Sequence, residues 1–165
     1  MAVMGIDFEF CSVRQGPTVT LGLSIAQVAV GDHVWLFDVS GAPYLLEHTD
    51  VDGVPSLAKW LHSPLVLKVA QSAASDCKLL ADRRVYMSPL FDTACADAVI
   101  RGSPTHDKLD RLVLRYVGDH MVMKGDITPQ MHRTLWSVRP LPEFAIVYCW
   151  QDVAWLYDLA IALRT

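Results

Sequence analysis

The chain has 165 residues, enough to bury a substantial core in one compact domain. Hydrophobic residues make up 52% of it and charged residues 19%, which excludes a disordered chain, and a net charge of −4 argues against gripping nucleic acid by bulk positive charge. The longest uncharged stretch, 15–31, carries Pro17, Thr18, Thr20, Ser24 and Gln27, so it reads as a strand rather than a membrane span.

Residues 2–10 alternate, with Met4, Ile6, Phe8 and Phe10 on one face and Gly5, Asp7 and Glu9 on the other. Residues 18–30 alternate through Val19, Leu21, Leu23 and Ile25, and Gly31-Asp32 offers a tight turn into a third strand, HVWLFDV. These predict a three-stranded antiparallel meander. VPSLAKWLHS has helical spacing through Val54, Leu57, Ala58 and Leu61, with Pro55 near its first turn. LVLKVA is a continuous apolar run, the mark of a strand covered on both faces. ASDCKLLADRR is predicted as a helix, followed by a short strand ending in LFDT, a helix ACADAVIR capped by Asp92, and a helix DKLDRLVLRYV stopped by Gly118. Residues 119–141 read as irregular, with a helical turn at TPQMHRTLW. A last long helix opens with Pro142 at its first position and Glu143 in its first turn, and is predicted to run to about Arg164. The sum is a single α/β domain over 1–165, a mixed sheet flanked by helices.

Cys11, Cys77, Cys95 and Cys149 are scattered, with no C-x-x-C pair, and read as reduced, mostly buried thiols. The six histidines make no zinc pattern. With no basic segment ahead of the first strand, the expectation is an intracellular protein of cytoplasm or nucleus, with no membrane association.

The chemistry begins at Asp7 and Glu9. Residues i and i+2 of a strand project on the same side, and two acids on an otherwise apolar strand are costly unless they lie at the rim or are neutralised by cations. Asp76 falls in the first turn of the helix after LVLKVA, at a strand's carboxyl end where ligand sites collect in open α/β sheets; alone, it is an acid favoured by the helix dipole. Asp152 follows Tyr148 by four residues, so acid and phenol share a helix face; alone, it is a solvent-facing acid beside Gln151. Together, four carboxylates match the oxygen-donor needs of paired hard divalent cations. Such cations would also cancel the charge of −4, which leaves open a metal-dependent nucleic-acid enzyme.

At this point the chain resembles the DEDD 3′–5′ exonucleases of the ribonuclease H-like (DnaQ-like) fold, a mixed five-stranded sheet flanked by helices. It is most similar to the branch with RNase D, the proofreading domain of DNA polymerase I, the Werner-syndrome exonuclease domain and Egalitarian. The resemblance covers nearly the whole chain in order: GIDFEF, KVAQSAASD with LFDTACADAVI, LDRLVLRYVG, and WSVRPLPEFAIVYCWQDVAWLYDL. Tyr148 four residues before Asp152, with Val147 at minus five, matches the tyrosine branch rather than the histidine branch. Gln71 departs from the His that many relatives carry there.

The resemblance implies that Asp7, Glu9, Asp76 and Asp152 hold two Mg²⁺ or Mn²⁺ ions and that Tyr148 orients the attacking water. The implied reaction releases nucleoside 5′-monophosphates from the 3′ end of single-stranded RNA or DNA, RNA slightly favoured. The alternative from a different class is a catalytically silent RNA-binding adaptor on the same fold. Phe10, Cys11 and Ser12 are placed to meet the terminal nucleotide, and Arg139, in the family-like RPL segment, is the favoured backbone contact. Arg83, Arg84, Lys108, Arg111, Arg115, Lys124, His132 and Arg133 are weaker candidates, each equally read as a solvated face. Trp60, Trp136, Trp150 and Trp155 read as core or interface, and Asp92 as a helix cap rather than a fifth ligand.

Overall fold

The computed structural model describes residues 1–47, 56–121 and 134–164. Its sheet has the order β3-β2-β1-β4-β5. Strands β1 (Ala2–Gln15), β2 (Thr18–Val30) and β3 (His33–Asp38) form the antiparallel meander, and β4 (Val66–Ala70) and β5 (Leu90–Asp92) join parallel to β1. Helix α1 (Leu57–His62) precedes β4, α2 (Ala74–Ala81) follows it, and α3 (Thr93–Arg101) follows β5. Helix α4 (Leu109–Leu112) runs into a π-helical turn, Val113–Val117, and α5 (Glu143–Ala154) and α6 (Leu156–Ala162) complete the chain. Val54 and Pro55, and the predicted turn up to Arg133, lie outside the described residues.

β1 runs five residues beyond its predicted end. Gly16, in the left-handed region at φ +62°, turns the chain before Pro17, so Cys11–Gln15 keep pairing with Thr18–Gly22. The pairing slips by one residue between Glu9 and Phe10, where β2 carries Ser24 as an extra residue.

The sheet faces divide the core as the alternation predicts. Met4, Ile6 and Phe8 pack with Leu57, Ala58, Leu61 and Leu80 on the α1–α2 side. Leu67 and Val69 pack with Leu109, Leu112, Val153, Leu156 and Leu159 on the other. β4 is buried throughout, including Lys68, whose Nζ donates to the carbonyls of Ser63 (2.9 Å), Val66 (2.7 Å) and Ser88 (2.5 Å). Desolvation pulls its pKa below the usual lysine value. Three carbonyls satisfy all three ammonium donors, which is what makes a fully buried lysine tolerable.

The predicted last helix is two helices. Trp155 (φ −90°, ψ −8°) interrupts it, so α5 lies on β1, β2 and β3 while α6 turns onto β1, β4 and the α4 turn. One straight helix over this span would follow only one direction across a twisted sheet. Pro142 is the N-cap residue, one position before its predicted place. Gly118 ends the α4 segment at φ +79°, with its N–H on the Val113 carbonyl at 3.1 Å.

Gly5 brings α5 down onto β1. A Cβ there would meet the Val153 carbonyl oxygen at 3.0 Å, with Ala29 Cβ at 3.3 Å and Leu156 Cβ at 3.4 Å. Gly5→Ala is therefore expected to destabilise the protein by about 1–3 kcal/mol through overpacking, read as a lower midpoint in urea unfolding.

Candidate active site

Two elements supply the centre of the site. Strand periodicity puts Asp7 and Glu9 on the face of β1 that Gly5 presents to α5, and helical spacing stacks Tyr148 under Asp152 on α5. Carboxylate oxygens of Asp7, Glu9 and Asp152 all lie within 4.8 Å of one another. Glu9 and Asp152 are buried and Asp7 is half-buried. Three converging oxygen anions of this kind repel each other and suit a hard divalent cation. Burial first, then the charges of Asp152, Glu9 and Asp7 and its hydrogen bond to Asp152, push the Tyr148 phenol well above its ordinary pKa. Tyr148 is therefore a fixed hydrogen-bond donor rather than a base. The Trp136 ring, fully buried, lies 5.7 Å from the Tyr148 ring at 49°.

Asp76 stands outside that three-acid group, in the first turn of α2 beyond the end of β4. It is buried, and desolvation, with the nearby charge of Asp92, raises its carboxyl from 3.8 to about 7. The chain thus brings three of the four predicted acids to one point and sets the fourth on the neighbouring strand-helix junction.

Arg139 has a different surrounding from the one its sequence context suggested. Its Nε and Nη2 grip Asp38 at 2.6 and 2.7 Å, Nη2 reaches Ser24 (3.2 Å) and Ser40 (3.0 Å), and Nη1 donates to the carbonyls of Trp136 (3.0 Å) and Val138 (2.7 Å). All three nitrogens are engaged within the protein, so the side chain clamps β2, β3 and the lead-in to α5 together. The Arg139 hydrogen bond holds the Asp38 carboxyl well below the usual carboxylate range. Ser24, the extra residue of β2, also donates to the Trp136 carbonyl. The lead-in to α5 is thereby tied to β2 and β3, and Gln27 Nε2 on Cys149 Sγ (3.2 Å) ties α5 itself.

Cys11 is buried with Ile25, Leu135, Trp136, Ala145 and Cys149, on the α5 side of the sheet that strand alternation assigns to it along with Asp7 and Glu9. Phe10 is half-buried and Ser12 exposed. Cys149 is buried, Cys77 half-buried and Cys95 exposed. Trp60 and Trp150 are about half exposed, unlike Trp136 and the partly buried Trp155. Arg115 is held by Asp97 and Asp107 at 2.7 Å each, while Lys108, Arg83 and Arg84 are exposed and Arg111 lies 3.5 Å from Asp107 on a largely exposed side chain. Lys124, His132 and Arg133 lie outside the described residues.

Sequence reasoning missed Asp38 and Asp97. Asp97 is fully buried and receives Arg101 (2.8 Å), Arg115 (2.7 Å) and Tyr116 (2.9 Å). The i, i+4 spacing of Asp97 and Arg101 was the available signal; nothing local marks Asp38, whose partner is 101 residues away.

A family model described as 3′–5′ exonuclease matches residues 1–165. No curated protein matches the chain significantly. Among solved structures, Escherichia coli RNase D, an exoribonuclease involved in structured RNA processing, is 26% identical with a TM-score of 0.75, over 99% of this chain and 39% of that one. Trypanosoma brucei RNase D shares the fold at a TM-score of 0.77 and 17% identity, over 98% of this chain and 57% of that one. Brucella melitensis NrnC does so at 0.73 and 18%, over 99% and 72%, and it has been solved with bound Mg²⁺ and bound to pGG. Among the described residues, no helix is long and apolar enough to cross a membrane.

Two outcomes are expected from this geometry. Asp76 titrates near 3.8 unfolded and about 7 folded, so the native state holds the extra proton between those values. Its contribution to stability is full below the unfolded value and is lost as pH rises through about 7. Urea unfolding of the metal-free protein at pH 5 and pH 8 should show this loss, and Asp76→Asn should remove it, leaving the variant more stable at pH 8 by on the order of 2–4 kcal/mol. For the clamp, Arg139→Lys and Asp38→Asn should each lower Tm. The double variant should be little worse than either, because the fork of hydrogen bonds acts as one unit.

Proposed function

This chain belongs to the 3′–5′ exonuclease family, and we propose that it is an active member: a metal-dependent hydrolase trimming single-stranded nucleic acid, RNA ahead of DNA, from the 3′ end. The observation that carries this reading is the convergence of Asp7, Glu9 and Asp152 within 4.8 Å, with the Tyr148 phenol bonded to Asp152. An adaptor on this fold has no need to keep that charge together, whereas an enzyme does.

In this reading Asp7, Glu9 and Asp152, joined by Asp76, hold two Mg²⁺ or Mn²⁺ ions. When bound, the ions supply Lewis-acid activation of water and charge stabilisation at the phosphate. The protein does the rest. Tyr148 keeps its proton and, anchored by Asp152, offers a fixed oxygen against which the attacking water is oriented. Glu9 and Asp152 are buried, and the exclusion of water around them would make their contacts to an ion strong. Asp76 must surrender its proton to become a ligand, so metal uptake releases a proton and is favoured by rising pH up to about 7. The preference for RNA follows the RNase D likeness, the product a nucleoside 5′-monophosphate.

The test is degradation of 3′- and 5′-labelled single-stranded RNA and DNA with Mg²⁺, Mn²⁺ or EDTA, beside Asp7→Ala and Tyr148→Phe. Trimming from the 3′ end with either metal, none in EDTA and none with Asp7→Ala is the expected pattern. Tyr148→Phe should lose roughly 10²-fold in kcat with metal affinity near wild type. Folded wild type that binds RNA but trims no substrate makes the chain an adaptor, and unchanged activity in Asp7→Ala sinks the assigned site.

A further inference from the structure

We propose that Asp92 and Thr93 are positioning residues for Asp76, acting by pinning the β4–α2 connection. Asp92 was expected to cap α3, and its Oδ1 does accept from the N–H groups of Ala94 (2.9 Å) and Cys95 (3.3 Å). The same carboxylate also reaches across to the other junction. Oδ1 accepts from the Ser72 N–H at 3.0 Å and Oδ2 from the Ala73 N–H at 2.8 Å. Ala73 is the N-cap residue of α2, and Ser72 sits in the left-handed region at φ +56°, a conformation a serine holds only when its surroundings impose it.

Thr93 holds the preceding two residues. Its buried Oγ1 lies 3.1 Å from the Ala70 carbonyl and hydrogen-bonds Gln71 Oε1, while Gln71 Nε2 donates to the Asp107 carbonyl at 2.9 Å. Residues 70–73 are thus fixed end to end by two adjacent residues of the β5–α3 junction. Asp76 is the third residue of the helix that starts there. It lies outside the three-acid group, so where α2 begins decides whether its carboxylate meets an ion held by Asp7, Glu9 and Asp152.

This inference rests on the metal-dependent reading above. Its test is calorimetric titration of Mn²⁺ into the metal-free protein, alongside Asp92→Asn and Thr93→Val, with circular dichroism and Tm to check folding. Asparagine has the same shape, but whichever way its amide turns, an NH₂ faces backbone N–H groups that the carboxylate accepted. Valine removes the hydroxyl and changes no charge. Expected are folded variants with Mn²⁺ affinity down roughly tenfold or more for Asp92→Asn and several-fold for Thr93→Val, and a matching rise in the Mg²⁺ concentration needed for trimming. Affinity within twofold of wild type in both overturns the proposal. Loss in Asp92→Asn alone also overturns it, since Asp92 then acts through charge rather than by holding the loop. Wild type that takes up no Mn²⁺ overturns the metal site itself, a distinguishable failure.

Discussion

Three carboxylates within 4.8 Å of each other push apart, and two of them are buried where water screens little. The fold must supply that restraint from elsewhere. It does so at Gly5, whose missing side chain lets Val153, the neighbour of Asp152, settle against β1. It does so again at the start of α5, where Arg139 joins Asp38, Ser24 and the Trp136 carbonyl. The apolar clusters around Trp136 and Leu156 close the helix onto the sheet between these two anchors.

The second half of the site is organised differently. Asp76 is not pressed against the other acids; it is buried by itself and kept protonated to about pH 7 by desolvation and the nearby Asp92 charge. Such an arrangement suits a ligand that ionises when a cation arrives, and it places the cost of the fourth charge on binding rather than on folding. Ser72, in the β4–α2 connection, is with Arg84 one of two non-glycine residues at positive φ among the described residues. Strain and buried acid lie within five residues of each other, next to the end of a strand that is itself entirely buried.

Much of this was legible in the sequence because period and spacing are local properties. The alternation through Met4, Ile6 and Phe8 gave the sheet face, the apolar LVLKVA run gave a covered strand, and Asp92 and Gly118 gave helix ends. The four acids and Tyr148 were found through ordered motifs, and the structure brings Asp7, Glu9, Asp152 and Tyr148 together. What the sequence did not show was non-local. The motif around Arg139 says where it lies but not that Asp38, far away in sequence, binds it. Cys11 was singled out by its place after Glu9 alone, and the Leu135, Trp136 and Cys149 side chains that bury it come from more than a hundred residues away. The break at Trp155 goes with a change of packing partner, from β2 and β3 to β4 and the α4 turn, and such tertiary packing leaves no mark in a helix-favouring sequence.

The central claim is that one cation-binding centre is assembled from β1, α5 and the start of α2. Anomalous diffraction at the manganese edge from crystals grown with Mn²⁺ tests it most directly. The account predicts anomalous density between Asp7, Glu9 and Asp152, with a second peak bridging toward Asp76. Manganese bound only elsewhere, or density absent from these acids at saturating Mn²⁺, would contradict it.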